Sequence, residues 1–350
     1  MASTTKIMTA IVALDHLALS DEIRIPSEAV GVEGSSIYLR KGEIWTAKDL
    51  LYGLMLRSGN DAAVALAIAS CGNVDAFVAK MNEKAQEFGL RDTHFCNPHG
   101  LHADEHYTTA RELAIIASHA MKIPAFAEAV STKIYTVEQN DTHTAHYFAN
   151  KNKLLGTLDG ANGIKTGYTT DSGRCLVSAA KRNGMQLIGV VLNCYDMWQT
   201  SANMLEKAFQ AYTSVELVKP NQPLFTVNNG SAHVDLQVKE EIRYPIAQGE
   251  SLDFSFTVRP DTNLRAPLTE GQNIGTLQVY HGNRLIFSSK LSTMNAVNDT
   301  GVVLMLSALC GNLHIENNGG EIEQIFSVER GSIPPWGRGI DLTGTSQGQR

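Results

Sequence analysis

Three short strings restrict this chain more than any other feature: Ser3-Thr4-Thr5-Lys6, then Ser58-Gly59-Asn60, then Lys165-Thr166-Gly167. Each is weak by itself, because helices and turns rich in Ser, Lys and Gly produce such strings by composition. Together and in this order they require a fold that brings a helix start, a break between helices and a strand to one place. The surrounding pattern supplies those three settings. Ser3 to Leu17 repeats Ile7, Ile11, Leu14 and Leu17 at helical spacing, which predicts a helix with one buried face. Ala47 to Leu56 and Asp61 to Ala69 read as helices, with Ser58-Gly59-Asn60 in the break. Cys175 to Ala180 and Leu187 to Leu192 are apolar runs split by Lys181-Arg182-Asn183-Gly184, which predicts a hairpin turned at Asn-Gly, with Lys165-Thr166-Gly167 on a neighbouring strand.

Elsewhere the pattern is coarser. Gly31 to Gly42 reads as a loop or hairpin, Val74 to Phe88 as an amphipathic helix, and Thr109-Ala110-Arg111-Glu112 as a capping box opening another. Met197 to Tyr212 reads as a closing helix. After it, Pro220, Pro223, Asn228-Asn229-Gly230 and Pro260 punctuate short alternating segments such as Leu252 to Val258, which predicts a small all-β domain. Gly311 to Arg350 is rich in Gly, Asn, Ser and Pro and reads as a poorly ordered tail. The expected division is a first domain over 1–213, a β domain over 214–292 and a tail over 293–350.

A length of 350 residues with 43% hydrophobic content allows two buried cores. A formal net charge of -7, with no basic run and no Gly-rich phosphate loop, argues against nucleic acid as a partner. The 5 cysteines show no C-x-x-C spacing, so they suggest neither zinc nor a disulfide framework. His99, His102, Asp104, Glu105 and His106 crowd one loop and His143 and His146 a second, without the spacing of a helix-borne zinc site. A metal is the weaker reading of them.

Read as chemistry, the first string offers a hydroxyl and an amine one helical turn apart. Ser3 becomes a nucleophile once Lys6 takes its proton, which Lys6 can do only while uncharged. Burial and a second cation lower a lysine pKa, and Lys165 is the candidate neighbour. Ser58 is placed to relay the proton to a departing amine. Asn60 can grip a peptide group of the substrate. Lys165 and Thr166 offer a cation and a hydroxyl to a terminal carboxylate, and Gly167 lets a substrate backbone approach along the strand. The Tyr168 backbone N–H could join that of Ser3 in an oxyanion hole.

The strings Ala2-Ser3-Thr4-Thr5-Lys6-Ile7-Met8-Thr9-Ala10, Leu56-Arg57-Ser58-Gly59-Asn60-Asp61-Ala62, Asn97-Pro98-His99-Gly100-Leu101 and Gly163-Ile164-Lys165-Thr166-Gly167-Tyr168-Thr169 resemble the D-alanyl-D-alanine carboxypeptidases. These are low-molecular-mass penicillin-binding proteins of serine peptidase family S11, and the resemblance runs from Ala2 to about Leu291. It implies an α/β (α+β) fold of the β-lactamase/transpeptidase type, with a central antiparallel sheet flanked by helices and a small all-β sandwich behind it. It implies Ser3 as the acylated nucleophile, Lys6 as base, Ser58 and Asn60 as the second motif, and Lys165, Thr166 and Gly167 as the third. The implied reaction removes the terminal D-alanine from peptidoglycan pentapeptides through an acyl-enzyme, and β-lactam antibiotics acylate the same serine. No cofactor or metal is implied.

The resemblance also sets expectations about place. In the family a secretion signal and opening strands of the sheet precede the nucleophile, so an N-terminally truncated product acting outside the cytoplasm, at the membrane's outer face or in the periplasm, is expected. Peripheral membrane association belongs to the full-length protein, and the apolar run Val302 to Leu309 is too short to span a bilayer. Two alternatives stand beside the carboxypeptidase. A class A β-lactamase shares the motifs but needs a glutamate on the deacylating water, for which Glu105 and Glu112 are poor candidates. A catalytically inert wall-binding protein would use the β domain alone.

Overall fold

The computed structural model describes residues 1–229, 232–260, 264–265, 267–298, 303–304, 309–318 and 321–328. The chain forms two compact units, Met1–Gln210 and Ala211–Arg350.

The first unit opens on a tight 3₁₀ turn, Ala2–Thr5, that runs into α1 (Lys6–His16). A short pair, β1 (Glu22–Arg24) and β2 (Ile44–Thr46), frames the Gly-rich loop between them. Thr46 then caps α2 (Ala47–Tyr52) by accepting from Asp49 N–H. The predicted continuation to Leu56 exists, but as a π-helical stretch, Gly53–Arg57, ended by Ser58 in the left-handed conformation at φ 66°. Wide π turns are rare and concentrate at functional sites. Next come α3 (Asn60–Cys71) and α4 (Val74–Glu87). The helix α3 is apolar on nearly every side and buried almost all round, from Asn60 to Ala67, as a core helix must be.

Thr109 caps α5 (Ala110–Ala120), as the capping box predicts, by accepting from Glu112 N–H at 3.2 Å. The other half of the box is absent. The Glu112 carboxylate instead accepts from the backbone N–H groups of Arg91 and Asp92 and from Thr93 Oγ1, tying down the chain before the His-rich loop. Beyond α6 (Pro124–Ser131) lie the hairpin β3 (Ile134–Val137) and β4 (His146–Ala149) and the short α7 (Leu154–Thr157). An antiparallel sheet follows, with β5 (Ala161–Thr169), β6 (Gly173–Arg182) and β7 (Met185–Val191) in that order. Its β6–β7 turn falls at Asn183 and Gly184, with φ of 48° and 77°, the two positive angles that an Asn-Gly type I′ turn supplies. Helix α8 (Met197–Ala211) closes the unit.

The unit's core joins Ile7, Met8 and Ile11 of α1 with Leu50, Leu54 and Leu56, with Ala62 to Ala67 of α3, and with Ile164 and Val177 of the sheet. The Ser3 turn, the helix break and the strand therefore share one hydrophobic body. Their positions relative to each other inherit its rigidity.

In the second unit, β8 (Tyr212–Val218) pairs with β11 (Ile242–Ala247). A larger antiparallel sheet contains β9 (Phe225–Asn229), β10 (Ala232–Gln237), β12 (Phe254–Pro260), β14 (Asn273–His281) and β15 (Arg284–Thr293). It also contains β17 (Leu309–Asn318) and β18 (Glu321–Val328), with β17 paired to β12; β13 (Leu264–Arg265) pairs apart with β16 (Val303–Leu304). Phe254, Phe256 and Val258 of β12 and Leu277 and Val279 of β14 are buried at alternate positions, the period-two signal of a sheet with one covered face. Among the described residues three strands, β16, β17 and β18, thus fall inside the span read as a tail. Most of the run Val302 to Leu309, and residues 329–350, lie outside the described residues.

Candidate active site

The first motif folds as its spacing predicts. The 3₁₀ turn delivers Ser3 to the mouth of α1 and Lys6 to its first position, with Lys6 Nζ 3.0 Å from Ser3 Oγ. The amine is fully buried and contacts two further oxygens, Asn60 Oδ1 and the His99 carbonyl, each at 2.6 Å. Both of those oxygens only accept. A neutral amine has two N–H bonds and one lone pair, so with both hydrogens given to these acceptors its lone pair faces the serine hydroxyl. Burial, and then the cations of Lys165 and Lys151, hold the Lys6 pKa well below its ordinary 10.5.

Asn60 arrives from the helix break. Its side-chain amide accepts from Lys6 through Oδ1 and donates to the Glu33 carbonyl through Nδ2, leaving one amide hydrogen uncommitted to these two partners. Ser58 is buried, with 4% of its surface exposed, and sits two residues upstream in its left-handed turn. Its hydroxyl is not among the partners of Lys6. Asp61 organises the same corner from within the core, accepting from the N–H groups of Ile37, Leu39 and Ala62 and from Ser36 Oγ.

The third motif lies on β5, where Lys165 to Tyr168 pair with Val177 to Arg174 of β6. Lys165 is buried, donates to the Thr166 carbonyl at 3.1 Å, and has its pKa pulled down to about 7 by burial and then by Lys151. Gly167 is where the strand meets the turn that carries Ser3. A Cβ placed there would lie 3.2 Å from Ser3 N and 3.2 Å from Ala2 Cβ, so a larger residue would push the two apart. Thr166 is partly exposed and Tyr168 is 67% exposed.

Lys151 joins the site without having been predicted. Its N–H donates to the Leu56 carbonyl and its Nζ to Ser35 Oγ, and burial lowers its own pKa. The only sequence signal is its place in Asn150-Lys151-Asn152, where both asparagines cap backbone N–H groups that follow them. The His-rich loop packs against the Ser3 turn and α1: Thr9 Oγ1 donates to the Pro98 carbonyl, and a Cβ on Gly100 would lie 1.9 Å from the Ala2 carbonyl oxygen. His143 and His146 pack elsewhere, on Trp45. Among the described residues no group of three or more His, Cys, Asp or Glu side chains is arranged to hold a metal ion.

A serine beside a buried low-pKa amine, flanked by a second buried lysine on a sheet strand, is the arrangement of a serine acyl-transfer enzyme. Comparison with known proteins identifies the family. A family model described as D-alanyl-D-alanine carboxypeptidase, peptidase S11, matches residues 1–196, and one described as the C-terminal domain of penicillin-binding protein 5 matches residues 212–299. The D-alanyl-D-alanine carboxypeptidase DacF of Bacillus subtilis is 32% identical over 323 residues, covering 89% of this chain and 83% of its own. DacA of Haemophilus influenzae is 33% identical over 321 residues, covering 86% and 80%. Among solved structures, penicillin-binding protein 5 of Haemophilus influenzae aligns with a TM-score of 0.62 at 30% identity, covering 85% of this chain and 90% of that one. The chain belongs to the D-alanyl-D-alanine carboxypeptidases of peptidase family S11, serine hydrolases built from an α/β domain and a C-terminal β domain.

Proposed function

We propose that this chain removes the terminal D-alanine from peptidoglycan stem pentapeptides through an acyl-enzyme on Ser3, and that β-lactams acylate the same residue. The observation that carries the reading is the Lys6 amine, buried, depressed in pKa and 3.0 Å from Ser3 Oγ. In this reading neutral Lys6 takes the serine proton as Oγ attacks the penultimate D-alanine carbonyl. The Ser3 and Tyr168 N–H groups receive the oxyanion. Ser58 passes the proton to the departing D-alanine, and water then hydrolyses the ester. Asn60 both orients Lys6 and offers its remaining amide hydrogen to the peptide, while Lys165 and Thr166 hold the terminal carboxylate and Gly167 admits the substrate backbone.

The division into a catalytic domain over 1–213 and a β domain over 214–292 is part of the same proposal, as is an extracytoplasmic site of action beside the wall. Peripheral membrane association is assigned to the full-length protein; among the described residues no single helix is long and apolar enough to cross a membrane. The β-lactamase alternative is not favoured, because the Glu112 carboxylate is committed to the 91–93 backbone and to Thr93. A purely wall-binding role is not favoured either, since both named curated relatives carry carboxypeptidase names.

Labelling the chain and its Ser3→Ala variant with a fluorescent penicillin tests the reading. A covalent label that persists for minutes on the parent and is missing from the variant is expected, together with release of D-alanine from a pentapeptide. Equal labelling of both chains, or rapid turnover of a chromogenic cephalosporin, contradicts it.

A further inference from the structure

His106 lies outside the three motifs, yet it reaches the turn that carries the nucleophile. Its Nε2 is 2.8 Å from Thr5 Oγ1, and its Nδ1 accepts from the Cys96 backbone N–H at 3.0 Å. A backbone N–H can only donate, so Nδ1 bears a lone pair and the proton of the neutral ring sits on Nε2. Nε2 therefore donates to Thr5 Oγ1. The threonine hydroxyl spends its own hydrogen on the Ala2 carbonyl, 2.9 Å away. Burial foremost, with neighbouring positive groups adding, lowers the His106 pKa to about 3. The ring stays neutral at ordinary pH, and the direction of donation from Cys96 through His106 and Thr5 to Ala2 does not reverse.

The end of that chain matters for the chemistry. The Ala2 carbonyl and the Ser3 N–H are the two ends of one trans peptide plane, and they point in opposite directions. Whatever fixes the carbonyl fixes the N–H. Ser3 stands in the first turn, where an N–H has no partner within its helix and is free for a ligand. Ala2 itself is held at φ 49°, a left-handed angle that costs a non-glycine residue about 1 kcal/mol and so needs external restraint. Gly100 and Gly167 both lie close to this peptide and have no side chain to hydrogen-bond it. Thr5 is the side chain that does.

We infer that His106, acting through the Thr5 hydroxyl and the Ala2 carbonyl, is the positioning residue that aims the Ser3 N–H into the oxyanion hole. The inference rests on the reading of Ser3 as acylated nucleophile given above. His106 touches no reacting atom. Its effect falls on the tetrahedral state, where the oxygen charge develops, and not on capture of the ligand.

The test uses the full chain and its Thr5→Val, His106→Ala and His106→Gln variants, with the double variant of Thr5→Val and His106→Ala. Three quantities are read: the acylation rate by a fluorescent penicillin, the affinity of a peptidyl boronic acid whose tetrahedral adduct places an oxygen in the hole, and the thermal midpoint. Removing an oxyanion donor outright costs about 100- to 1000-fold, so misaiming one should slow acylation roughly 30-fold in Thr5→Val and His106→Ala, with boronate affinity falling in step. The thermal midpoint should fall modestly in Thr5→Val, which keeps the side chain's shape but leaves His106 Nε2–H and the Ala2 carbonyl without the hydroxyl, while the chain stays folded at the assay temperature. His106→Gln, whose amide nitrogen can donate from the Nε2 position, should recover to within about three-fold of the parent. The double variant should be no slower than the slower single one, because both break the same relay.

Acylation of Thr5→Val within about two-fold of the parent overturns the inference, and so does loss of rate without loss of boronate affinity. If His106→Ala does not fold, Thr5→Val and His106→Gln still decide. Ser3→Ala separates the two levels: a variant that still labels removes the underlying assignment, whereas an unlabelled Ser3→Ala beside a fast Thr5→Val removes only the relay.

Discussion

Above neutral pH this enzyme should lose its hold on a free peptide carboxylate while its nucleophile remains competent. Lys165 is 1% exposed, and burial followed by the charge of Lys151 brings its pKa to about 7 from an ordinary 10.5. At 1.36 kcal/mol per pKa unit, keeping that ammonium charged inside the protein costs ~5 kcal/mol relative to water. A titration centred there leaves about ten charged molecules for each neutral one at pH 6, and about one for ten at pH 8. The profile of kcat/KM reports ionisations of the free enzyme. For a peptide ending in a free carboxylate, kcat/KM should therefore fall about tenfold per pH unit once the pH passes roughly 7.5. The same peptide ending in an amide offers nothing for the ammonium to pair with, so its lower kcat/KM should show no such limb. Initial rates from about pH 5.5 to 9.5 at constant ionic strength, read as product by mass spectrometry, give both profiles. A limb of equal slope and midpoint for both peptides, or none for the acid, would refute the assignment of Lys165 to the carboxylate.

Three further outcomes follow from the same geometry. Lys165→Met removes a cation that depresses Lys6, so the Lys6 pKa should rise and the acid limb for acylation by an uncharged activated ester should move to higher pH; an unmoved limb would show the two lysines to be uncoupled. The Lys165 pKa is depressed in the folded state, so the unfolded chain binds a proton that the native one does not between about 7 and 10.5. Stability from urea titrations should rise with pH across that window in the parent and rise less steeply in Lys165→Met, where the depressed Lys6 and Lys151 still contribute. Asp61→Asn leaves a buried corner short of an acceptor for Ile37, Leu39, Ala62 and Ser36 and should cost about 2 kcal/mol; a loss under about 0.5 kcal/mol would show the loop to be held by other contacts.

The parts of this molecule that could be read from its sequence are those whose cause is local. An i, i+3 Ser-Lys pair can meet only on a helical turn, and Asn183-Gly184 can close only one kind of hairpin; both appear as expected. Features decided by distant partners could not be read. Nothing near Lys151 announces that its charge will act on Lys6 and Lys165. Glu112 has the spacing of a capping box, but three donors at 91–93 compete for its carboxylate and win. The widening of α2 into a π turn likewise answers to tertiary demands, because it lets the chain present Ser58 and Asn60 where a regular helix would have carried on.

The amine of Lys6 is moored by two oxygens, one from Asn60 and one from the main chain at His99. Such a base can receive a proton but cannot swing to follow it. Whatever leaves the substrate must then have its hydrogen ferried across, by a hydroxyl or a solvent molecule able to touch both shores. On the proposed reading, a courier carries the proton while the base stands still.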